Sequence, residues 1–218
     1  MIKIVFFDVD NVLVKGQTQK LLLNFLFKKR KIGCLFFLKL CLWFLLYKFN
    51  LVKDTTKIRR ESFKLMKNWD EEETKKLFKE FFDREIRPHI FPQSIKLIKT
   101  YIKQGCEVVL TSSSIFEIVD ELKKYLFLKF TISTKLEIID GKYTGRVLGK
   151  IPYGENKVTA VKNFLNNNGF VLEKSYAYAD HYSDLPLLDT VTNPVVINPD
   201  RRLRKIAKER KWNIYDFK

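Results

Sequence analysis

The sequence predicts an α/β fold, a mostly parallel sheet with helices on both faces and an added block of helices after the first strand. Three observations lead there. Short apolar runs rich in β-branched and aromatic residues alternate with helical stretches from residue 93 onward, the pattern of strands joined by crossover helices. Residues 17–88 carry helical periodicity and no strand signal. Two apolar runs end abruptly in carboxylates, Asp8 with Asp10 and Asp180 with Asp184. Ligands of open α/β sheets bind just beyond the carboxyl ends of the strands.

The first element is residues 2–7, a run that reads as a strand covered on both faces. Along a strand, residues two apart point the same way, so Asp8 and Asp10 share a side. Two carboxylates about 4 Å apart repel by about 4 kcal/mol at an effective dielectric of about 20. They coexist cheaply only with a cation or a shared proton. A divalent metal site is one reading; two acids capping a strand end is the other. A calcium loop of the EF-hand type is excluded, because its fifth, sixth and twelfth places hold Val12, Leu13 and Gln19.

Helices follow over 17–30, 32–50, 54–68 and 70–86. Asp54 and Asp70 suit N-caps, and Glu73 after Asp70 resembles a capping box. Pro88 and Pro92 bracket the return to the sheet, so residues 17–88 form a four-helix cap inserted into a core of 1–16 and 89–218. A helix over 93–104 stops at Gly105, and 106–110 is an apolar strand. Thr111 to Ser114 then lead into a helix over 115–125. Residues 130–148 suggest β-structure turning at Asp140-Gly141. A helix after Gly154, strands over 175–179 and 194–197, and a last helix from Asp200 complete a Rossmann-like order.

Composition narrows the class. The 218 residues are 46% apolar, enough for a sizeable core. Three cysteines with no C-x-x-C fit neither a disulfide scaffold nor a zinc ribbon and point to a reducing cytoplasm. No cleavable signal is expected before the first strand. The net charge of +16 suits nucleic acid, an anionic membrane or phosphorylated substrates. Of the 41 basic residues, 31 are lysines spread along the chain without a nucleic-acid-binding motif. No nucleic-acid partner is expected.

Other element ends add candidates. Thr111 and Ser112 offer a hydroxyl and free amides where a strand meets a helix, which can hold a phosphate or merely cap the helix. Lys157 sits in the first turn of the helix after Gly154, electrostatically the wrong end for a cation unless an anion lies outside; an exposed surface lysine is the plain alternative. Asp180 could add a third oxygen to a hard cation such as Mg²⁺, with Asp184 bracing the loop or capping the next helix. A nucleotide phosphate loop is excluded by the spacing of Gly145 and Gly149 and by Ile151 after Lys150.

Taken in order, Asp8-x-Asp10, Thr111-Ser112, Lys157 and Asp180-x-x-x-Asp184 resemble the four motifs of the haloacid dehalogenase superfamily. The resemblance covers residues 1–15 and 88–217 and is nearest to the phosphoserine-phosphatase-like branch, subclass IB. It implies a phosphomonoester hydrolase in which Asp8 attacks phosphorus and Asp10 moves protons. It also implies Thr111 and the Ser112 amide on the phosphoryl oxygens, and Lys157 offsetting charge. Mg²⁺ would lie on Asp8, the Asp10 main-chain carbonyl and Asp180, with Asp184 in support. Val12, Ala179 and His181 depart from the branch's usual residues, and the stretches Val14 to Gln17 and Thr111 to Ser113 argue against free phosphoserine as substrate.

The cap holds the last clue. In residues 32–47 only Gly33 and Lys39 are not apolar, with Lys28-Lys29-Arg30-Lys31 before and Lys48 and Lys53 after. A spanning helix needs about 20 apolar residues, so this one is too short. Two readings stay open: an interfacial helix meeting an anionic membrane through residues 28–53, or a buried cap helix whose Lys39 snorkels out. The first makes a phospholipid or lysophospholipid phosphate the expected substrate, on a protein peripheral to the inner membrane face. A small phosphorylated metabolite is the other expected substrate, and the cytoplasm the expected location. A phosphotransferase and a non-catalytic membrane-binding protein are the rival functions.

Overall fold

The computed structural model describes residues 3–48 and 55–218. The expected strand start at Ile2, the helix end at Asn50, the basic Lys53 and the Asp54 cap lie outside the described residues. Strand β1 (Ile4–Asp8) is buried at every position. Ile4 and Phe6 join one apolar cluster while Val5 and Phe7 join the other. A strand apolar on both faces can only lie mid-sheet, and β1 does.

Seven strands form one sheet in the order β4-β3-β2-β1-β5-β6-β7. They are β2 (Glu107–Ile115), β3 (Phe130–Ile139), β4 (Lys142–Leu148), β5 (Tyr176–Ala179), β6 (Asn193–Ile197) and β7 (Asn213–Tyr215). Neighbours run parallel except β3 and β4, which form an antiparallel hairpin. Its turn has Asp140 at φ 50° and Gly141 at φ 70°, the left-handed pair that a two-residue hairpin needs. From β1 the chain goes first to β2 on one side and later to β5 on the other. The carboxyl end of β1 is therefore the switch point of the sheet, where a crevice opens.

Between β1 and the core helix α5 (Pro92–Lys103) run α1 (Thr18–Lys28), α2 (Cys34–Lys48), α3 (Thr55–Phe63) and α4 (Glu71–Phe81). Asp70 caps α4 by accepting from the Glu73 amide at 3.0 Å. The β3–β4 turn clasps this block through backbone: Asn68 N–H to Tyr143 O at 2.8 Å, Tyr143 N–H to Trp69 O at 2.9 Å and Glu71 N–H to Gly141 O at 2.8 Å. The remaining helices are α6 (Phe116–Tyr125), α7 (Glu155–Asn168), α8 (Leu185–Leu188) and α9 (Arg201–Glu209).

Two sequence expectations need correction here. The stretch Thr111 to Ser114 is no strand-to-helix junction: β2 continues through it to Ile115, and α6 starts at Phe116 without a side-chain cap. The register of β2 with β3 shifts between Thr111 and Ile115, so its hydroxyls do not follow the regular alternation of a strand. Asp184 stands at the cap position of α8 but makes no capping hydrogen bond, because its carboxylate is engaged elsewhere.

Candidate active site

Asp8 is the last residue of β1, held in register opposite Thr111 of β2. Lys157 reaches it from the first turn of α7, with Nζ 3.1 Å from Asp8 Oδ1 and 2.7 Å from Asp184 Oδ1. The turn before α7 rests on Gly154 at φ 57°, ψ −132°, a conformation that residues with a Cβ avoid. Asp180 follows β5 directly, and its Oδ2 accepts from Asn11 Nδ2 at 2.8 Å. The Asp180 carbonyl accepts from the Asp200 amide at 2.8 Å, and Asp200 Oδ2 accepts from Tyr182 N–H at 2.6 Å. The loop carrying Asp180 and Asp184 is thus tied to the start of α9.

Carboxylate oxygens of Asp8, Asp180 and Asp184 lie within 4.8 Å of one another, all three residues buried. Burial pushes the Asp8 carboxyl up to about 7, Lys157 pulls it back in part, and Asp184 and Asp10 add to the rise. Burial and then the Asp8 charge hold Asp180 well above its usual range. Lys157 is driven up, because Asp184 and Asp8 outweigh the desolvation that would lower it. One buried ammonium therefore faces more negative charge than it can neutralise. An all-oxygen, buried, over-acidic donor set fits a hard divalent cation.

A pH consequence follows. Native Asp8 holds its proton more tightly than the unfolded chain, whose value stays near 3.8. Its contribution to stability is complete below 3.8 and is lost as pH rises through about 7. In chelator-treated protein, the melting temperature of wild type relative to Asp8→Asn should fall across that window. Parallel melting profiles for the two proteins would contradict this.

Asp10 takes a different position. Its Oδ1 accepts from the Thr18 amide at 2.8 Å, and burial raises its pKa against that hydrogen bond. Its carboxylate is outside the three-acid group. Of the expected phosphate holders, Ser112 lines the cavity but Thr111 does not. Thr111 is fully buried, and its hydroxyl donates to Phe7 O at 3.4 Å. Thr111 is the last residue of β2 in regular register with β3 before the shift, and it is turned into the core. Ser113, half-buried, joins Ser112 on the cavity wall instead.

Sequence reasoning missed three residues. Asn11, at φ 54°, orients Asp180, accepts from the Gly16 amide at 3.0 Å and offers its carbonyl to Asn198 Nδ2 at 2.8 Å. An asparagine after D-x-D, at a sharp turn, was the available signal, since Asn tolerates the left-handed region. Ser113 was hidden by the misplaced strand end. Arg59 of α3 lines the same cavity, its guanidinium 5.1 Å from the Tyr153 ring. Its Nε and Nη1 are buried without a hydrogen-bond partner.

The cavity above the acids is walled by side chains from the helical block between β1 and α5, among them Leu22, Leu26, Leu40, Trp43, Met66 and Trp69. A charged floor thus sits beneath an apolar vestibule.

A family model described as haloacid dehalogenase-like hydrolase matches residues 5–189. The phosphoserine phosphatase SerB1 of Mycobacterium tuberculosis is 33% identical over 228 residues, covering 98% of this chain and 70% of that protein. A histidinol-phosphatase of Neisseria meningitidis is 35% identical over 154 residues, covering 69% of each. A crystal structure of a protein of unknown function from Bordetella pertussis superposes with a TM-score of 0.90 at 25% identity, covering 99% of both chains. With this match spanning most of its length, and with phosphatases as its relatives, the chain belongs to the haloacid dehalogenase-like hydrolases and is a phosphatase among them.

Proposed function

We propose that this phosphatase is a Mg²⁺-dependent phosphomonoester hydrolase that works through an aspartyl-phosphate on Asp8, with residues 17–88 as its substrate-selecting cap. One observation carries the reading: Asp8 ends the central strand, in contact with a buried ammonium and beneath an apolar vestibule. Lys157 holds the Asp8 carboxylate in place and offsets charge on the phosphoryl group. Asp10, whose pKa burial raises against the Thr18 hydrogen bond, donates to the leaving oxygen and later takes the proton of the attacking water. Hydroxyls and amides of Ser112 and Ser113 accept the role expected for Thr111 and Ser112. Asp8, Asp180 and the Asp10 carbonyl are the groups that would hold Mg²⁺, with Asp184 bracing Lys157 beside them. Bound there, the ion would supply Lewis-acid neutralisation of phosphoryl charge.

The vestibule favours a substrate whose phosphate is carried on an apolar body, as in a lysophospholipid or phospholipid phosphate, over a small polar metabolite. The Nε and Nη1 of Arg59, buried without a hydrogen-bond partner, favour one with acceptor oxygens close to that phosphate, since unpaired buried donors are unfavourable. Arg59→Met should raise KM for such a substrate about tenfold or more, with kcat and the turnover of a simple aryl phosphate little changed. Equal losses on both substrates would contradict the assignment.

The experiment is a panel of phosphorylated metabolites and phospholipid phosphates, assayed with Mg²⁺ and with EDTA. Release of inorganic phosphate from an amphipathic ester, abolished by EDTA, is the expected result; activity confined to polar metabolites would overturn the substrate class. Adding an alcohol acceptor and analysing products separates hydrolysis from phosphotransfer.

A further inference from the structure

We propose that the outward face of α2, with the basic turn before it, is a docking surface for an anionic lipid bilayer. Leu35, Leu38 and Leu42 are 86%, 56% and 54% exposed. Their spacing of three and four residues sets them in one stripe along the helix. Single exposed leucines are ordinary, but three aligned on one short helix form a continuous apolar strip that water disfavours. The helix cannot turn them inward, because Phe36, Phe37, Leu40 and Cys41 on its other side already pack against the core.

Charge selects the occupant. Residues 11–53 contain nine lysines and arginines and no aspartate or glutamate. Lys28, Lys29, Arg30 and Lys31, all exposed, lead directly into α2, and exposed Lys39 flanks the leucine strip. Lys28 and Lys29 also pair with Glu85 and Glu80, while Arg30 and Lys31 are exposed beside them. Apolar side chains rimmed by cations describe a helix lying in a membrane interface, leucines below the head groups and cations among them. A second copy of the chain would bring two basic surfaces together, and like charges repel. No helix among the described residues is long and apolar enough to cross a membrane, so α2 would lie along the surface.

This surface deepens the reading of the substrate and in that respect rests on it. Leu40 and Trp43, on the inner side of the same helix, wall the vestibule. A lipid ester leaving the bilayer would meet one helix on its way to Asp8.

The test is sedimentation of the chain with vesicles of phosphatidylcholine alone and of phosphatidylcholine mixed with phosphatidylglycerol. Binding is expected to the mixed vesicles, to fall as salt rises, and to be weak on the neutral ones. Leu35→Ser/Leu38→Ser/Leu42→Ser should weaken it by at least about tenfold while leaving aryl phosphate turnover unchanged, which also shows that the variant is folded. Should that variant lose turnover, Arg30→Gln/Lys31→Gln serves in its place and should weaken binding several-fold. The proposal is overturned if wild type stays in solution, if a folded variant binds as wild type does, or if gel filtration shows a dimer that the leucine substitutions dissociate without any vesicle binding. Absence of aryl phosphate turnover in wild type would instead count against the hydrolase reading and leave the docking result to stand by itself.

Discussion

Asp8→Asn is expected to abolish turnover of an aryl phosphate, by on the order of 10⁴-fold or more in kcat, while raising the melting temperature of metal-free protein at neutral pH. The two effects share one cause. The Asp8 carboxylate is buried beside Asp180 and Asp184, and burial together with the charges of Asp184 and Asp10 disfavours its ionised form. An amide of the same shape removes that unfavourable charge but cannot attack phosphorus, since it lacks the anionic oxygen that forms the acyl phosphate. Active-site groups held against their own stability are a known trade in enzymes. Turnover by steady-state assay and unfolding by calorimetry in EDTA check the two halves. Retained turnover would remove Asp8 as the nucleophile; a lower melting temperature would show that Lys157 more than compensates the crowded acids.

Much of this arrangement was legible in the sequence because it is local. A run apolar on both faces that ends in D-x-D places a strand and two carboxylates with no knowledge of the rest of the chain. The same holds for Lys157, whose position in a first helical turn was already electrostatically odd. The Asp140-Gly141 turn was readable because both residues tolerate positive φ. What failed depends on distant partners. Where β2 ends is decided by pairing with β3, whose register shifts between Thr111 and Ile115, so polar residues 111–114 were mistaken for a junction. That reading gave Thr111 the place on the cavity wall that Ser113 holds in the structure. Strand β7 escaped notice because three residues, Asn213–Tyr215, carry too short a pattern and are set by pairing with β6. Arg59 lies in a helix whose chemistry shows only once the cap is folded over the acids. The even choice between a buried and an interfacial α2 was also unresolvable from periodicity, because apolar residues occupy all its sides.

Lys157→Ala should be the most damaging single change to stability in the site. Lys157 is 3% exposed, and removal of its ammonium leaves Asp8 and Asp184 facing one another with no cation between them. Breaking a buried pair in this way costs about 3–5 kcal/mol, equivalent to roughly 10 °C in melting temperature for a chain of this size. The kcat for an aryl phosphate should fall about 10²- to 10³-fold through lost charge stabilisation. Lys157→Arg should not rescue it, because a planar guanidinium cannot occupy a pocket shaped for a compact ammonium between two carboxylates. The decisive measurement is a cycle with Asp8→Asn. If the loss in Lys157→Ala arises from uncompensated acids, it should shrink once Asp8 is neutral, giving a coupling well beyond additivity. Simple additivity of the two melting shifts would mean that Lys157 supports the fold through packing alone, and its electrostatic role would have to be abandoned.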